Sequence, residues 1–292
     1  MRARLRATIL GSGAGGAFPQ WNCGCPNCTA VREGREGYLP RTQDSIAVTD
    51  DGERVLLVNA SPDVLVQIQK TRALWPRSAR HSPISAIVLT NGDMDHVLGL
   101  FSLRESWPFE LWATESVWRG LDQSIFIRTI RRFEGHTTKK ILPLDEDVTI
   151  AGVRVRARAA PGKAPVHLVG HAEPTAGDNV MLSLGGSLLY AAACASADVD
   201  VSGHSTVLFD GTFFREDELV RLGLSKAVAK DMAHVPISGE NGSLAKLSGI
   251  SARKIYTHIN NTNPILAPSS DERRTVENAG WEIAFDGMEI GS

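Results

Sequence analysis

The chain has 292 residues, 42% hydrophobic and 22% charged, which is enough apolar surface for a sizeable core in one large domain or two ordinary ones. Its formal net charge is −2 with acids and bases interspersed, so no basic face points to nucleic acid. No apolar run approaches the roughly 18 residues of a membrane span, and the short run after Met1-Arg-Ala-Arg-Leu-Arg6 is cut by Gly11 before it can serve as a signal peptide, so a cytoplasmic location is expected.

A first strand is predicted over 4–10 and runs into Gly11-Ser-Gly13-Ala-Gly-Gly16, the spacing of a dinucleotide loop. Such a loop holds phosphates only when it opens a helix, and here Phe18-Pro-Gln-Trp-Asn follows with no helical period. The glycines are instead expected to let backbone pass close to another group. Cys23-Gly-Cys25-Pro-Asn-Cys28 comes next. A disulfide framework would spread its cysteines; this cluster suits reduced thiolates on a structural zinc in a loop at about 18–30. Zinc prefers four ligands, so one is missing locally. His234, in Met232-Ala-His234-Val-Pro236, is the best remote candidate, and Cys194 is the other.

Strands 44–50 and 54–60 are predicted to form a hairpin about Asp50-Asp51-Gly52. The same reading pairs 147–150 with 153–159 and 179–184 with 187–193. Further strands are expected at 84–90, 109–113, 165–170, 205–209, 254–258 and 281–285. Helices are expected from Ser61-Pro62-Asp63 to about Leu74, from just after His96 to Leu103, and over 114–133, 216–222, 243–247 and 271–279. No long linker divides the chain. Residues 1–292 are therefore read as a single α/β domain, a sandwich of two mixed sheets with helices on the outer faces.

Three strand-like runs end in a metal-type ligand. Residues 84–90 run into Asn91-Gly-Asp93-Met-Asp95-His96, 205–209 into Asp210, and 254–257 into His258. Rigid strand ends are where an α/β protein assembles a site. Taken singly, acids at a helix start or an Asx-turn explain each motif. Together, Asp93, Asp95, His96, Asp210 and His258 point to one metal centre gathered from distant segments. His258-Ile-Asn260-Asn261-Thr-Asn263-Pro264 reads as polar site lining. His81, His136, His167, His171 and His204 have no comparable context.

These residues together resemble the metallo-β-lactamase superfamily, whose signature is H-x-H-x-D-H followed by a distal Asp and a distal His. Asn91 and Asp93 stand at its first two histidines. The segments from Gly11 to Cys28, Thr90-Asn-Gly-Asp-Met-Asp-His96, Asp210-Gly-Thr-Phe, His234-Val-Pro-Ile-Ser-Gly and His258 to Pro264 resemble, more closely, the pyrroloquinoline quinone (PQQ) biosynthesis protein B family, over essentially the whole chain. The resemblance implies an αββα sandwich. In a related phosphodiesterase branch a similar cysteine cluster and a distant His hold zinc, which supports grouping Cys23, Cys25, Cys28 and His234.

Asn91 and Asp93 weaken the first metal position of a two-metal hydrolase. Asp95, His96, Asp210 and His258 remain, a set akin to that of non-haem Fe(II) oxygenases. The resemblance then implies an iron- and O2-dependent hydroxylase of the tyrosine ring in a cross-linked Glu-Tyr intermediate of PQQ synthesis. Lys163, Arg131 and the amides of Asn91, Asn260, Asn261 and Asn263 are candidates to meet its carboxylates. The cofactors expected are structural Zn2+ and catalytic Fe2+. The expected partners are a small-molecule substrate and O2, with no nucleic acid and no membrane, and a homodimer is admitted. The alternatives are a metal-dependent phosphodiester or ester hydrolase, and a carrier that binds PQQ and assists its transport.

Overall fold

A computed structural model describes residues 5–105, 107–130, 132, 135–165 and 173–291. The predicted strand at 165–170 and Arg131, His167 and His171 fall wholly or mostly outside the described residues.

Among the described residues, fourteen strands make two seven-stranded sheets. The first sheet holds β1 (Arg6–Gly11), β2 (Ser45–Thr49), β3 (Val55–Val58), β4 (Ile84–Val88), β5 (Phe109–Ala113), β6 (Thr137–Ile141) and, at its far edge beside β1, β14 (Glu289–Gly291). The second runs β7 (Asp147–Ile150), β8 (Val153–Ala159), β9 (Val180–Leu184), β10 (Leu188–Ala191), β11 (Thr206–Asp210), β12 (Arg253–Thr257) and β13 (Trp281–Ile283). Both are mixed: the three hairpins are antiparallel, while β3 to β6 and β10 to β13 pair in parallel.

Alternation of apolar residues along the strands builds the layers. Ile9, Val48, Leu56 and Val88 of the first sheet meet Val155, Leu182, Leu208 and Ile255 of the second in a central core. The opposite face of the first sheet packs Leu57, Ile87 and Leu111 against Val64, Val117 and Ile127 of helices. On the second sheet's outer face, Val207, Phe209 and Tyr256 pack with Val276 of the helix Asp271–Asn278. This helix–sheet–sheet–helix order is the αββα sandwich expected from sequence.

Several elements differ from the prediction. Strand β6 is Thr-Thr-Lys-Lys-Ile, an edge strand with too little apolar pattern to be read. The helix expected over 114–133 is two helices, Glu115–Leu121 and Ile125–Ile130, parted by a turn at Asp122-Gln-Ser124. A helix at Pro26–Arg32, with proline at its first turn, carries Cys28. The helix expected just after His96 starts earlier, at Met94, so Asp95 and His96 lie in its first turn.

Candidate metal centre

The site lies where β4, β11 and β12 end. Beyond β4 the chain is tied to the second sheet by a bridge between Asn91 and Asn179 and by Val180 N–H donating to Thr90 O at 2.9 Å. The glycine loop closes the same end: Gly13 bridges Gln43 on one side and Ile259 on the other. This loop is followed by turns rather than a helix, so it makes no dinucleotide site. What passes close is Asp95. A Cβ on Gly15 would stand 3.3 Å from Asp95 Oδ2, tighter than side chains ordinarily pack.

Asp95, His96 and His258 converge, with one ligand atom of each within 4.8 Å of the others. The rings of His96 and His258 lie edge to face at 5.6 Å. Asp95 Oδ2 is 3.2 Å from His258 Nε2 and 3.8 Å from His96 Nε2. His96 Nε2 is buried and has no hydrogen-bond partner among the described residues, an orphan beside its two neighbours. Burial alone would raise the Asp95 carboxyl, but the two imidazoles hold it well below the usual carboxylate range. Burial would likewise depress His258, yet Asp95, Asp44 and Asp210 push it up to about 9. A buried carboxylate, an unpartnered imidazole nitrogen and a strongly basic imidazole are a donor set suited to a divalent cation. His258 also has φ +54°, a conformation a side chain adopts only where the surroundings hold it.

A second cluster shares His258. Asp210, His234 and His258 again place ligand atoms within 4.8 Å of one another. Asp210 Oδ2 lies 2.6 Å from His234 Nδ1 and accepts from Cys194 N–H at 2.8 Å; Oδ1 accepts from Thr212 N–H and Oγ1 at 3.0 and 2.6 Å. The His234 and His258 rings stack at 5.2 Å. The expectation that His234 completes the thiol site is therefore corrected, because its ring is engaged by Asp210 and His258. Cys194 does not serve either: its backbone binds Asp210 and its sulfur contacts Ser196 O at 3.1 Å.

Asp93 lines the cavity without joining either cluster among the described residues, and its N–H is bound by Asn91 Oδ1 at 3.0 Å. The cavity holds about 490 Å³ and is walled by Asn91, Asp93, Lys163, Phe213, Met232 and Asn260 beside the ligand groups.

The three cysteines form a separate pocket, with sulfurs within 4.8 Å of one another. Asn261 points its side chain at all three: Nδ2 is 3.2, 3.7 and 3.3 Å from the sulfurs of Cys23, Cys25 and Cys28. Turning this amide over would present Oδ1 to the sulfurs instead. Burial raises the Cys25 thiol to about 12. At Cys23 hydrogen bonds from Cys25 N–H and Asn261, among others, outweigh burial and lower it. Asn261 and Asn263, expected to line the substrate cavity, are instead structural: Asn263 Nδ2 donates to Gly211 O at 2.8 Å.

Comparison with known proteins places this geometry. The family model described as "Beta-lactamase superfamily domain" matches residues 54–259. "Coenzyme PQQ synthesis protein B" of Methylobacterium sp. (strain 4-46) is 42% identical, over 98% of this chain and 99% of that protein. The protein of the same name from Rhizobium meliloti (strain 1021) is also 42% identical, over 98% and 97%. The chain belongs to the coenzyme PQQ synthesis protein B family. Within that family, the crystal structure of Zn2+-bound PqqB from Methylobacterium extorquens superposes with a TM-score of 0.91, at 40% identity, covering 98% of this chain and 99% of that one. A diphosphatase of the PhnP family shares the fold at a TM-score of 0.71 and 19% identity, covering 100% of this chain and 98% of that one.

Two parts of the site were not legible. His234 gave no strand-end signal, because it sits in irregular backbone after a short 3-10 turn. Thr90 and Thr212, which touch the imidazoles of His96 and His258, looked like ordinary strand-end threonines.

Proposed function

We propose that this protein acts in PQQ synthesis as an iron- and O2-dependent hydroxylase of the tyrosine ring of a cross-linked Glu-Tyr intermediate. The observation that carries the reading is the Asp95–His96–His258 set. Two imidazoles and one carboxylate stand together on one wall of an open cavity, with Asp93 and Asn91 outside the cluster. These three residues would hold iron with two imidazoles and one carboxylate, a donor composition that would leave other positions free for O2 and substrate. Iron held there would supply the activation of O2.

The chain's own residues orient the rest. Lys163 is a cationic side chain on the cavity wall and would meet a substrate rich in carboxylates. His234 is held through Nδ1 by Asp210, which leaves Nε2 to take the phenol proton and make the ring electron-rich. Each turnover converts one ring C–H to C–OH. One oxygen atom of O2 enters the product, and the other leaves as water with two protons and two electrons from a small-molecule reductant. The thiol pocket holds zinc and serves structure, in keeping with the donor chemistry of three convergent sulfurs.

One observation favours a second reading. Asp210, His234 and His258 offer a second cation position, as a two-metal hydrolase requires. Metal analysis separates the two: one iron plus one zinc for the hydroxylase, two active-site metals plus zinc for the hydrolase. The direct test is anaerobic Fe2+ loading, then 18O2, a cross-linked Glu-Tyr substrate and a small-molecule reductant such as ascorbate, followed by mass spectrometry. One or more 18O atoms in the product are expected. Unchanged substrate with a fully iron-loaded protein would sink the reading.

A further inference from the structure

Beneath the metal centre runs a buried polar chain with no exposed member. His96 Nδ1 lies 3.3 Å from Thr90 Oγ1. Thr90 Oγ1 and Thr90 N–H both donate to Asn59 Oδ1, at 3.1 and 3.0 Å. Asn59 Nδ2 donates to the Tyr190 hydroxyl at 3.2 Å, and Tyr190 donates to Asp44 Oδ2. Thr257 Oγ1, beside His258, donates to the other carboxyl oxygen of Asp44 at 2.7 Å. Asp44, Asn59, Tyr190 and Thr257 are fully buried, and the chain crosses the central core from one sheet to the other. So much polar surface between two sheets is costly to desolvate and is kept only where it is fully bonded.

The order of donors has one consistent direction. The Thr90 backbone N–H can only donate, so the atom of Asn59 facing it is the carbonyl oxygen. With Thr90 Oγ1–H also directed at that oxygen, the hydroxyl's free lone pairs face His96 Nδ1. The imidazole must then donate from Nδ1, and its Nε2 is left bare. Farther along, the Asn59 amide N–H needs an acceptor, and Tyr190 can accept because its own proton goes to Asp44. Burial raises the Asp44 carboxyl against the pull of His258. Thr257 donates to Asp44 Oδ1, so Oδ2 is left to accept from Tyr190.

We propose that Thr90, Asn59, Tyr190 and Asp44 form a one-way chain of hydrogen-bond donation that fixes His96 as the Nδ1–H tautomer and presents its bare Nε2 to the cation position. These are positioning residues, acting through His96. Asn59 has φ +60°, unusual for a residue with a side chain, and the chain gives that conformation a purpose: it turns the amide so that one edge meets Thr90 and the other meets Tyr190. His258 is served in parallel. Its Nδ1 lies 2.9 Å from Thr212 Oγ1, which donates to Asp210 at 2.6 Å. The proposal concerns His96 as a ligand and holds whether the reaction is hydroxylation or hydrolysis.

The test uses the full-length protein with zinc retained in the thiol pocket and the active-site cation removed. Long-range 1H–15N correlation reads the His96 tautomer, and Co2+ titration reads affinity. Wild type is expected to show Nδ1–H. Thr90→Val removes the acceptor and should release the ring to the Nε2–H form, weakening Co2+ binding about 10–100-fold. Thr90→Ser should restore both readouts. Tyr190→Phe leaves the Asn59 amide N–H without an acceptor and should weaken binding about three- to tenfold. A wild-type tautomer and affinity in Thr90→Val would overturn the proposal. Wild-type affinity in Tyr190→Phe would overturn its Tyr190–Asp44 half, because the chain would then end at Asn59. Both tests stand apart from turnover, so failure of the hydroxylase reading leaves them intact.

Discussion

The thiol pocket and the imidazole–carboxylate centre are built in opposite ways from one shared segment. Three ligands of the first lie within six residues, from Cys23 to Cys28, whereas Asp95, His96 and His258 come from opposite sheets. The thiol pocket is plugged by the Asn261 amide, while the second centre opens on a cavity. Yet His258 and Asn261 are separated by only two residues, so one turn after β12 serves both. Soft donors in a closed pocket hold structure, and mixed nitrogen and oxygen donors beside open space hold chemistry. The contrast also gives the thiol pocket a mechanical role: whatever it binds fixes the turn that carries His258 in its left-handed conformation.

The largest expected effect falls on the open centre alone. His258→Ala or Asp95→Ala should abolish oxygen insertion, beyond the roughly 10–100-fold that loss of an outer partner costs. Metal content should drop by the active-site ion while zinc and folded yield stay unchanged. Loss of zinc in either variant would mean that the two centres are not separable.

The reverse experiment is Cys25→Ser. Zinc should leave, and the melting temperature should fall by about 10 °C, the scale of several kcal/mol in a chain of this size. Turnover per folded molecule should change far less. Thermal denaturation alongside active-site titration distinguishes the outcomes; unchanged stability with abolished turnover would move the thiols into the chemistry.

How much of this contrast was readable from residues follows the same division. The cysteine cluster announced itself, because its ligands are neighbours in the chain. Strand ends at Asp95-His96, Asp210 and His258 were legible from hydrophobic runs stopping at polar groups. The assignment of His234 failed for a physical reason. A loop residue's partner is decided by tertiary packing, and counting missing zinc ligands cannot tell a free His from one already bound by Asp210. Asn261 was misread in the mirror-image way: its neighbours line the cavity, but the turn points its own amide at the sulfurs. Asp44 left no trace in the pattern, being one polar residue before an apolar strand whose partners lie on the other sheet.

Asn261 sharpens the comparison at the point where the centres meet. Replacement by His puts an imidazole at the position facing all three sulfurs, and zinc should resist a chelator about tenfold longer. Asn261→Ala should shorten retention by a similar factor. Chelator-competition kinetics read both. Equal retention in all three proteins would show that the amide is a bystander to the metal.

The smallest effect tests whether the shared turn is held from a third side. Glu218 is buried and accepts from Thr262 Oγ1 at 2.6 Å and from Phe214 N–H at 2.8 Å, so it braces the same turn. Burial raises its carboxyl to about 7 despite those hydrogen bonds. A carboxyl whose folded pKa lies above its unfolded value near 4.5 binds its proton more tightly in the native state. Its contribution is therefore complete below pH 4.5 and is lost as pH rises through about 7. Stability should decline between those limits by about 3 kcal/mol, since each pH unit separating the folded from the unfolded pKa is worth roughly 1.4 kcal/mol. Glu218→Gln removes the titrating group and should flatten that part of the profile, with little change in turnover at pH 6. Urea denaturation at intervals between pH 4.5 and 8 measures it, and an identical slope in the variant would place the titration elsewhere.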